Sequence, residues 1–228
     1  MQNLKLFITV VFAGIALSVP SNSFGQAPSA QLFEPSAGKG RGLLVVSGQN
    51  GPTSYVPVAR QFAAQGFNVS LIDGNAVLKP DNAGRPAFVA AVAALRASPK
   101  TSPGKIGVVG FSLGGGAAMT NAARMPNEVS AVVAYYPYTA FIKDPGAFAK
   151  QIQVPVLVLT GVKDVYKNCC VIEMARKLAS STKGIRLVEY PEANHGFNLA
   201  GPTLRSGDAT DAFRRAVAHL GGGGGKAK

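Results

Sequence analysis

Short apolar runs alternate with amphipathic stretches along most of this chain. Six runs read as strands: Gly42 to Ser47 (GLLVVS), Phe67 to Ile72 (FNVSLI), Lys105 to Gly110 (KIGVVG), Ser130 to Tyr136 (SAVVAYY), Val154 to Thr160 (VPVLVLT) and Ile185 to Tyr190 (IRLVEY). They are rich in β-branched residues and largely lack polar alternation, the pattern of strands buried on both faces of a parallel sheet. Between them, helices are expected at about Ser54 to Gln65, Arg85 to Ala97, Leu113 to Arg124, Val171 to Ser181 and Asp208 to Leu220. In the last, Ala212, Phe213, Ala216, Val217 and Leu220 recur at helical spacing, and Asp208 is placed to cap the N-terminus. Strand then helix, repeated, predicts an α/β fold: a mostly parallel sheet of about six or more strands with helices on both faces.

No boundary interrupts this alternation, so residues 42–220 form one expected domain. Residues 26–41 read as an extended lead-in, and 221–228, with glycine from Gly221 to Gly225, as a flexible tail. Before these, Lys5 precedes an apolar stretch from Leu6 to Val19, then Pro20 and the small residues of Ser23-Phe24-Gly25. That stretch is shorter than the roughly 20 residues a membrane span requires. Residues 1–25 therefore read as a cleaved signal peptide, which places the mature chain in the periplasm or outside the cell.

Composition narrows the picture. Apolar residues make up 47% of the 228 and charged residues 15%, enough for a large core and too little charge for a disordered chain. The formal net charge is +12, but the basic residues are scattered and never interleave with aromatics as a run, so no nucleic-acid partner is expected. Cys169 and Cys170 are sequence neighbours. Bridging neighbours closes a ring outside ordinary disulfide geometry, so packed thiols are expected. His195 and His219 lie far apart without Cys or carboxylate partners at ligand spacing, so no metal is expected either.

The chemistry concentrates at Gly110-Phe111-Ser112-Leu113-Gly114, followed by Gly115 and Gly116, between an expected strand and an expected helix. A G-x-S-x-G elbow needs small residues at both ends because the chain turns too sharply for side chains there. It lifts the Ser112 hydroxyl above the sheet and sets the Leu113 N–H at a helix start, where a developing oxyanion is favoured. The bland alternatives are a glycine-rich turn that packs helix on sheet, or a phosphate cradle. A Walker loop requires Gly-Lys-Ser/Thr, which Gly115-Gly116-Ala117 lacks, and the G-x-G-x-x-G dinucleotide pattern is also missing.

A serine hydroxyl needs a general base and an acid that orients it. Asp164 follows one expected strand and His195 the last, so both fall at the sheet edge that carries Ser112. His195 would take the Ser112 proton and return it to the leaving group, while Asp164 fixes the imidazole tautomer. Asp144 is the substitute acid, and His219, near the end of the last helix, is expected to face solvent. The second oxyanion donor is expected in Ser47-Gly48-Gln49-Asn50-Gly51, at the Gln49 backbone N–H.

Together, Gly110-Phe111-Ser112-Leu113-Gly114-Gly115, the Asp164 turn and His195-Gly196-Phe197 resemble the dienelactone hydrolase-like branch of the α/β-hydrolase superfamily. Ala134-Tyr135-Tyr136-Pro137 and the cysteine pair add to the likeness, which runs from about Gly42 to Leu220. The resemblance implies a single-domain α/β hydrolase without a large cap, needing no cofactor. Typical family members have a cysteine where this chain has Ser112, a glutamate where it has Gly48 and an arginine where it has Leu199. What the resemblance then implies is a serine carboxylesterase or lactonase acting on a small-molecule ester or lactone. Tyr136, Tyr138, Phe141 and Phe197 either line its pocket or belong to the core. Lys79 and Arg85 either attract an anionic substrate or form a solvated face. A thioesterase or peptidase using the same three groups, and a ligand-binding protein without turnover, are the competing readings.

Overall fold

A computed structural model describes residues 26–221. Seven strands form one sheet: β1 (Ala30–Phe33), β2 (Arg41–Val46), β3 (Phe67–Ile72), β4 (Ile106–Phe111), β5 (Val129–Tyr135), β6 (Val156–Gly161) and β7 (Ile185–Tyr190). Their order across the sheet is β1-β3-β2-β4-β5-β6-β7, and every pairing is parallel except β1 against β3. The expected α/β sheet of about six or more strands is therefore present, with one strand beyond the six apolar runs. The extra strand, β1, lies in the stretch expected to be an extended lead-in. Its four residues are mostly exposed, so it lacks the apolar run that marks a buried strand.

The helices are α1 (Val56–Ala64), α2 (Gly74–Val77), α3 (Arg85–Ala97), α4 (Leu113–Thr120), α5 (Pro145–Ala149), α6 (Ile172–Ser181) and α7 (Ser206–His219). The short α2 and α5 escape the sequence pattern because four or five residues hold barely one helical period. Each is announced instead by a capping aspartate: Asp73 accepts from Asn75 N–H at 3.0 Å and Asp144 from Ala147 N–H at 2.9 Å. Asp208 does not cap α7, which begins two residues earlier. It lies in the first turn and accepts from Arg205 Nε at 2.6 Å.

Strand residues alternate between two cores, one on each face of the sheet. Leu43, Val45, Val109, Val133 and Leu157 join α1 and α7 residues such as Phe62, Ala212 and Ala216 on one face. Leu44, Val46, Val108, Val132 and Val158 join Phe88 of α3, Ala117 of α4 and Leu178 of α6 on the other. Burial on both faces is why these strands read as unbroken apolar runs.

The chain runs from β2 outward to β3, then returns past β2 to β4. The gap between the C-terminal ends of β2 and β4 is thus a topological switch point, where loops diverge and ligands bind in open α/β sheets. Among the described residues, no helix is long and apolar enough to cross a membrane. The proposed signal peptide and all of the tail beyond Gly221 lie outside the described residues.

Two expectations are corrected by packing. Cys169 and Cys170 are bonded to each other and buried, not packed as free thiols. They close the turn after Lys167 and Asn168, whose positive φ values bend the chain tightly there. His219 does not face solvent: it is half-buried, with Nε2 3.2 Å from the carbonyl of Pro155.

Candidate active site

β4 passes into α4 through Ser112, whose φ of 52° and ψ of −115° are rare for a residue with a side chain. Holding such a conformation costs about 1–3 kcal/mol, which surrounding bonds must offset. Here Ser112 N–H donates to Tyr135 O at 3.0 Å, while Ser112 O accepts from Tyr138 N–H at 2.8 Å and Gly116 N–H at 3.0 Å. The glycine requirement is physical: a Cβ on Gly110 would lie 2.0 Å from the carbonyl oxygen of Gly114. The elbow read from the sequence is formed.

His195 and Asp164 come to the same edge from the loops after β7 and β6. His195 Nε2 lies 2.9 Å from Ser112 Oγ, and His195 Nδ1 lies 2.8 Å from Asp164 Oδ2. With Nδ1–H donating to the carboxylate, Nε2 is left to accept from the serine hydroxyl. Asp164 is 2% exposed and Ser112 6%, so this chain of bonds is shielded from bulk water. Lys163 N–H donates to Ala193 O at 3.0 Å, tying the acid's loop to the histidine's. Asp144, the substitute acid, takes no part; it caps α5 and is turned to the surface.

The backbone donors follow from the same topology. Leu113 is the first residue of α4, so its N–H has no acceptor within the helix. Gln49 follows β2 across the switch point from it. Its loop is held by Asn75 Nδ2, which donates to Gln49 O at 2.9 Å, and by Ser47 Oγ, which accepts from Gly74 N–H at 3.1 Å. Gly48 stands where the resemblance implies a glutamate, and the space around it is tight. A Cβ there would come within 2.4 Å of the Tyr55 hydroxyl, leaving no room for a longer side chain.

Two aromatics flank the histidine. The rings of Tyr136 and Tyr166 each lie 4.6 Å from the imidazole, centroid to centroid, Tyr136 tilted by 60° and Tyr166 nearly parallel at 13°. Tyr136 donates to Asn198 Oδ1 at 2.7 Å, and burial pushes its phenol pKa well above the ordinary value. Tyr55 is pushed up to about 12, chiefly by burial. Burial thus keeps the Tyr55 and Tyr136 phenols neutral.

Phe197 requires correction. It is wholly buried against Tyr135, Tyr136 and Tyr190, and lines no cavity described below. Its neighbour Gly196 takes φ 73°, and Phe197 anchors the histidine's loop in the core. Arg85 is also remote, with Nη1 3.5 Å from Asn121 Oδ1.

Tyr166 and the Gln49 side chain were not expected from the sequence. Gln49 Nε2 donates to the Tyr166 hydroxyl at 2.7 Å, bridging the loops after β2 and β6 beside Ser112. The available signal was local: Asp164 Oδ1 accepts Tyr166 N–H at 3.1 Å, an Asp-x-Tyr turn two residues long.

Two cavities meet at Ser112, Gln49 and Tyr166. One, about 430 Å³, is lined by Tyr136, Asn194, His195, Leu199 and Thr203. The other, about 640 Å³, is lined by Leu78, Leu113, Thr120, Tyr138 and Phe141, with Lys79 and Lys167 also on its wall. The Cys169 and Cys170 sulfurs lie within 4.8 Å of a His195 nitrogen. Being bonded to each other, they offer no thiolate to a metal.

Residues 74–221 match the model of the dienelactone hydrolase family. "Protein usf" of Aquifex pyrophilus is 28% identical over 180 residues, 69% of this chain and 77% of its own. Among solved structures, Est1E from Butyrivibrio proteoclasticus superposes with a TM-score of 0.67 at 16% identity, covering 84% of this chain and 94% of that one. The dienelactone hydrolase-like promiscuous phosphotriesterase P91, from metagenomic libraries, gives 0.63 at 19% identity, over 86% and 98%. These two likenesses show the shared fold.

Proposed function

We propose, for a chain that belongs to the dienelactone hydrolase family and is a carboxylic ester hydrolase, that catalysis runs through Ser112, His195 and Asp164 on exported protein. The observation that carries this reading is the continuous bond chain from Asp164 through His195 to Ser112, at 2.8 and 2.9 Å.

Ser112 Oγ attacks the ester carbonyl carbon as His195 Nε2 takes its proton. The oxyanion is received by the N–H groups of Leu113 and Gln49. His195 then gives the proton to the leaving oxygen, the carbon–oxygen bond breaks, and the alcohol departs from an acyl-serine. Water repeats the sequence: His195 removes its proton, the hydroxide adds to the acyl carbon, and the proton returns to Ser112 as the acid leaves. Asp164 keeps the histidine in the accepting tautomer and stabilises its cation. A lactone follows the same path, its alcohol remaining tethered to the acyl group.

Purified protein is expected to hydrolyse short-chain aryl esters and to be labelled by a fluorophosphonate. Ser112→Ala is expected to lose both while keeping its fold by circular dichroism. Unlabelled wild-type protein without esterase activity would leave a non-catalytic ligand-binding protein as the better reading. The leader 1–25 supports export, and a mature N-terminus beginning at Gln26 in the secreted or periplasmic fraction is the expected result.

A further inference from the structure

The two cavities at Ser112 are unequal in size and in what they contain, and this asymmetry bears on the substrate. Resting on the serine hydrolase reading above, we propose that the cavity on the Leu113 side takes the acyl group and the cavity on the His195 side the alcohol. The preferred substrates are then esters of long apolar acids with small alcohols.

The orientation follows from proton transfer. The leaving oxygen must come within hydrogen-bond reach of His195 Nε2 to be protonated. The alcohol therefore points into the cavity that His195, Leu199 and Thr203 line. The acyl chain, on the other side of the carbonyl carbon, points away from the imidazole, toward the cavity that Leu78, Leu113 and Phe141 line without His195.

The length follows from the helix. Ser112, Leu113 and Thr120 all border the larger cavity, so it runs beside α4 from its N-cap to its last residue. At 1.5 Å per residue that is about 12 Å, room for an extended acyl chain of about eight carbons beyond the serine side chain. Leu78 and Phe141 close in at Gly116, where an added Cβ would lie 3.2 Å from Leu78 Cδ2 and 3.4 Å from Phe141 Cε1. The missing side chain lets these two apolar walls approach the helix. Tyr138 stands beside Phe141, ring centroids 5.5 Å apart, and extends this apolar wall, while Lys79, Asp81, Asn82 and Lys167 supply the polar part of the lining. The cavity on the histidine side has about two thirds of the volume and exposes the polar ends of Asn194 and Thr203.

The test compares p-nitrophenyl acetate with p-nitrophenyl octanoate, which share a leaving group, by the ratio of kcat/KM. In the wild type, octanoate is expected to be favoured at least tenfold. Leu78→Trp, which fills the channel, is expected to lower that ratio at least tenfold. Leu199→Trp, which narrows the other cavity, is expected to keep the ratio within about twofold while changing the preference between methyl and p-nitrophenyl octanoate. Phe141→Ala, at a partly exposed position, gives a second reading of the channel: loss of this wall is expected to lower the octanoate ratio about threefold. A wild-type ratio at or below one, or a ratio that collapses in Leu199→Trp and not in the channel variants, overturns the acyl assignment. Fluorophosphonate labelling of the same preparations separates the two levels. Labelled protein with the wrong ratios refutes only the channel assignment, whereas unlabelled, inactive wild type refutes the serine hydrolase reading beneath it.

Discussion

The ring of Tyr166 lies flat on the imidazole of His195, 4.6 Å between centroids and 13° from parallel. In the proposed mechanism this contact is useful, because an aromatic face favours an imidazolium. The Tyr166 hydroxyl, meanwhile, is held by Gln49 Nε2. Tyr166→Phe keeps the stacked face and is expected to retain kcat/KM within about threefold. Tyr166→Ala removes it, and loss of about 1–2 kcal/mol of stacking is expected to lower kcat/KM about tenfold or more. Steady-state kinetics on one aryl ester checks both; equal losses would assign the effect to the hydroxyl.

The two aspartates once eligible as the acid separate cleanly by experiment. Asp164→Asn should lower kcat by about 10³–10⁴, because an amide permits the wrong imidazole tautomer. Asp144→Ala should leave kcat near wild type while removing the α5 cap, at a cost of about 1 kcal/mol read as a Tm lower by about 3 °C. A large kcat loss in the second variant would reverse the assignment.

Gly48→Ala places a methyl group within 2.4 Å of the Tyr55 hydroxyl. Tyr55 is buried and packed on Phe111 at 4.8 Å, so it cannot swing clear. Overpacking of this kind costs about 1–3 kcal/mol, and Gly48→Ala should lower Tm by several degrees. Adding Tyr55→Phe removes the clashing oxygen and should recover part of the loss. An additive double mutant would show that the two positions do not meet.

His219 should make stability depend on pH in a known direction. Burial lowers its pKa below 6.5, with the Arg186 charge adding to the effect and the Pro155 carbonyl opposing it. The unfolded chain therefore binds a proton more readily than the folded one as pH falls below about 6.5. Its contribution is intact above that value and is lost as pH falls through the lower folded-state pKa. His219→Gln should flatten the decline of Tm between pH 7 and pH 5, and an unchanged slope would remove His219 from the account.

The Cys169–Cys170 bridge joins neighbours, so it restricts almost no loop in the unfolded chain. Chain entropy for so short a closure amounts to about 0.6 kcal/mol. Reduction by a dithiol is thus expected to shift Tm by only about 2 °C. A shift of ten degrees would show that the bridge holds up packing well beyond its own turn.

Much of this was readable from local patterns because the physics involved is local. Apolar runs mark strands, and the six so marked are all present; five are covered on both faces, while β7, at the sheet edge, is buried only at its two ends. The Gly110–Gly114 elbow is legible because backbone collision dictates glycine regardless of what lies elsewhere. Residues standing just past a strand share one edge whenever the strands are parallel, which is how Asp164 and His195 could be picked out. β1 was missed because an exposed edge strand needs no apolar signature, and Tyr166 because stacking on a residue 29 positions away leaves no trace in either segment.

The sequence by itself determined the class of fold and the sharp turn at Ser112, and it nominated His195 and Asp164 as base and acid, since each of these readings depends on residue type and order. Only the tertiary structure decided that Asp144 caps a helix, that Phe197 is core, that the two sulfurs are joined, and that two unequal cavities open from one hydroxyl. The reason is physical: a side chain's chemistry belongs to the residue, but its surroundings are set by contacts between segments far apart in the chain, which no local pattern records.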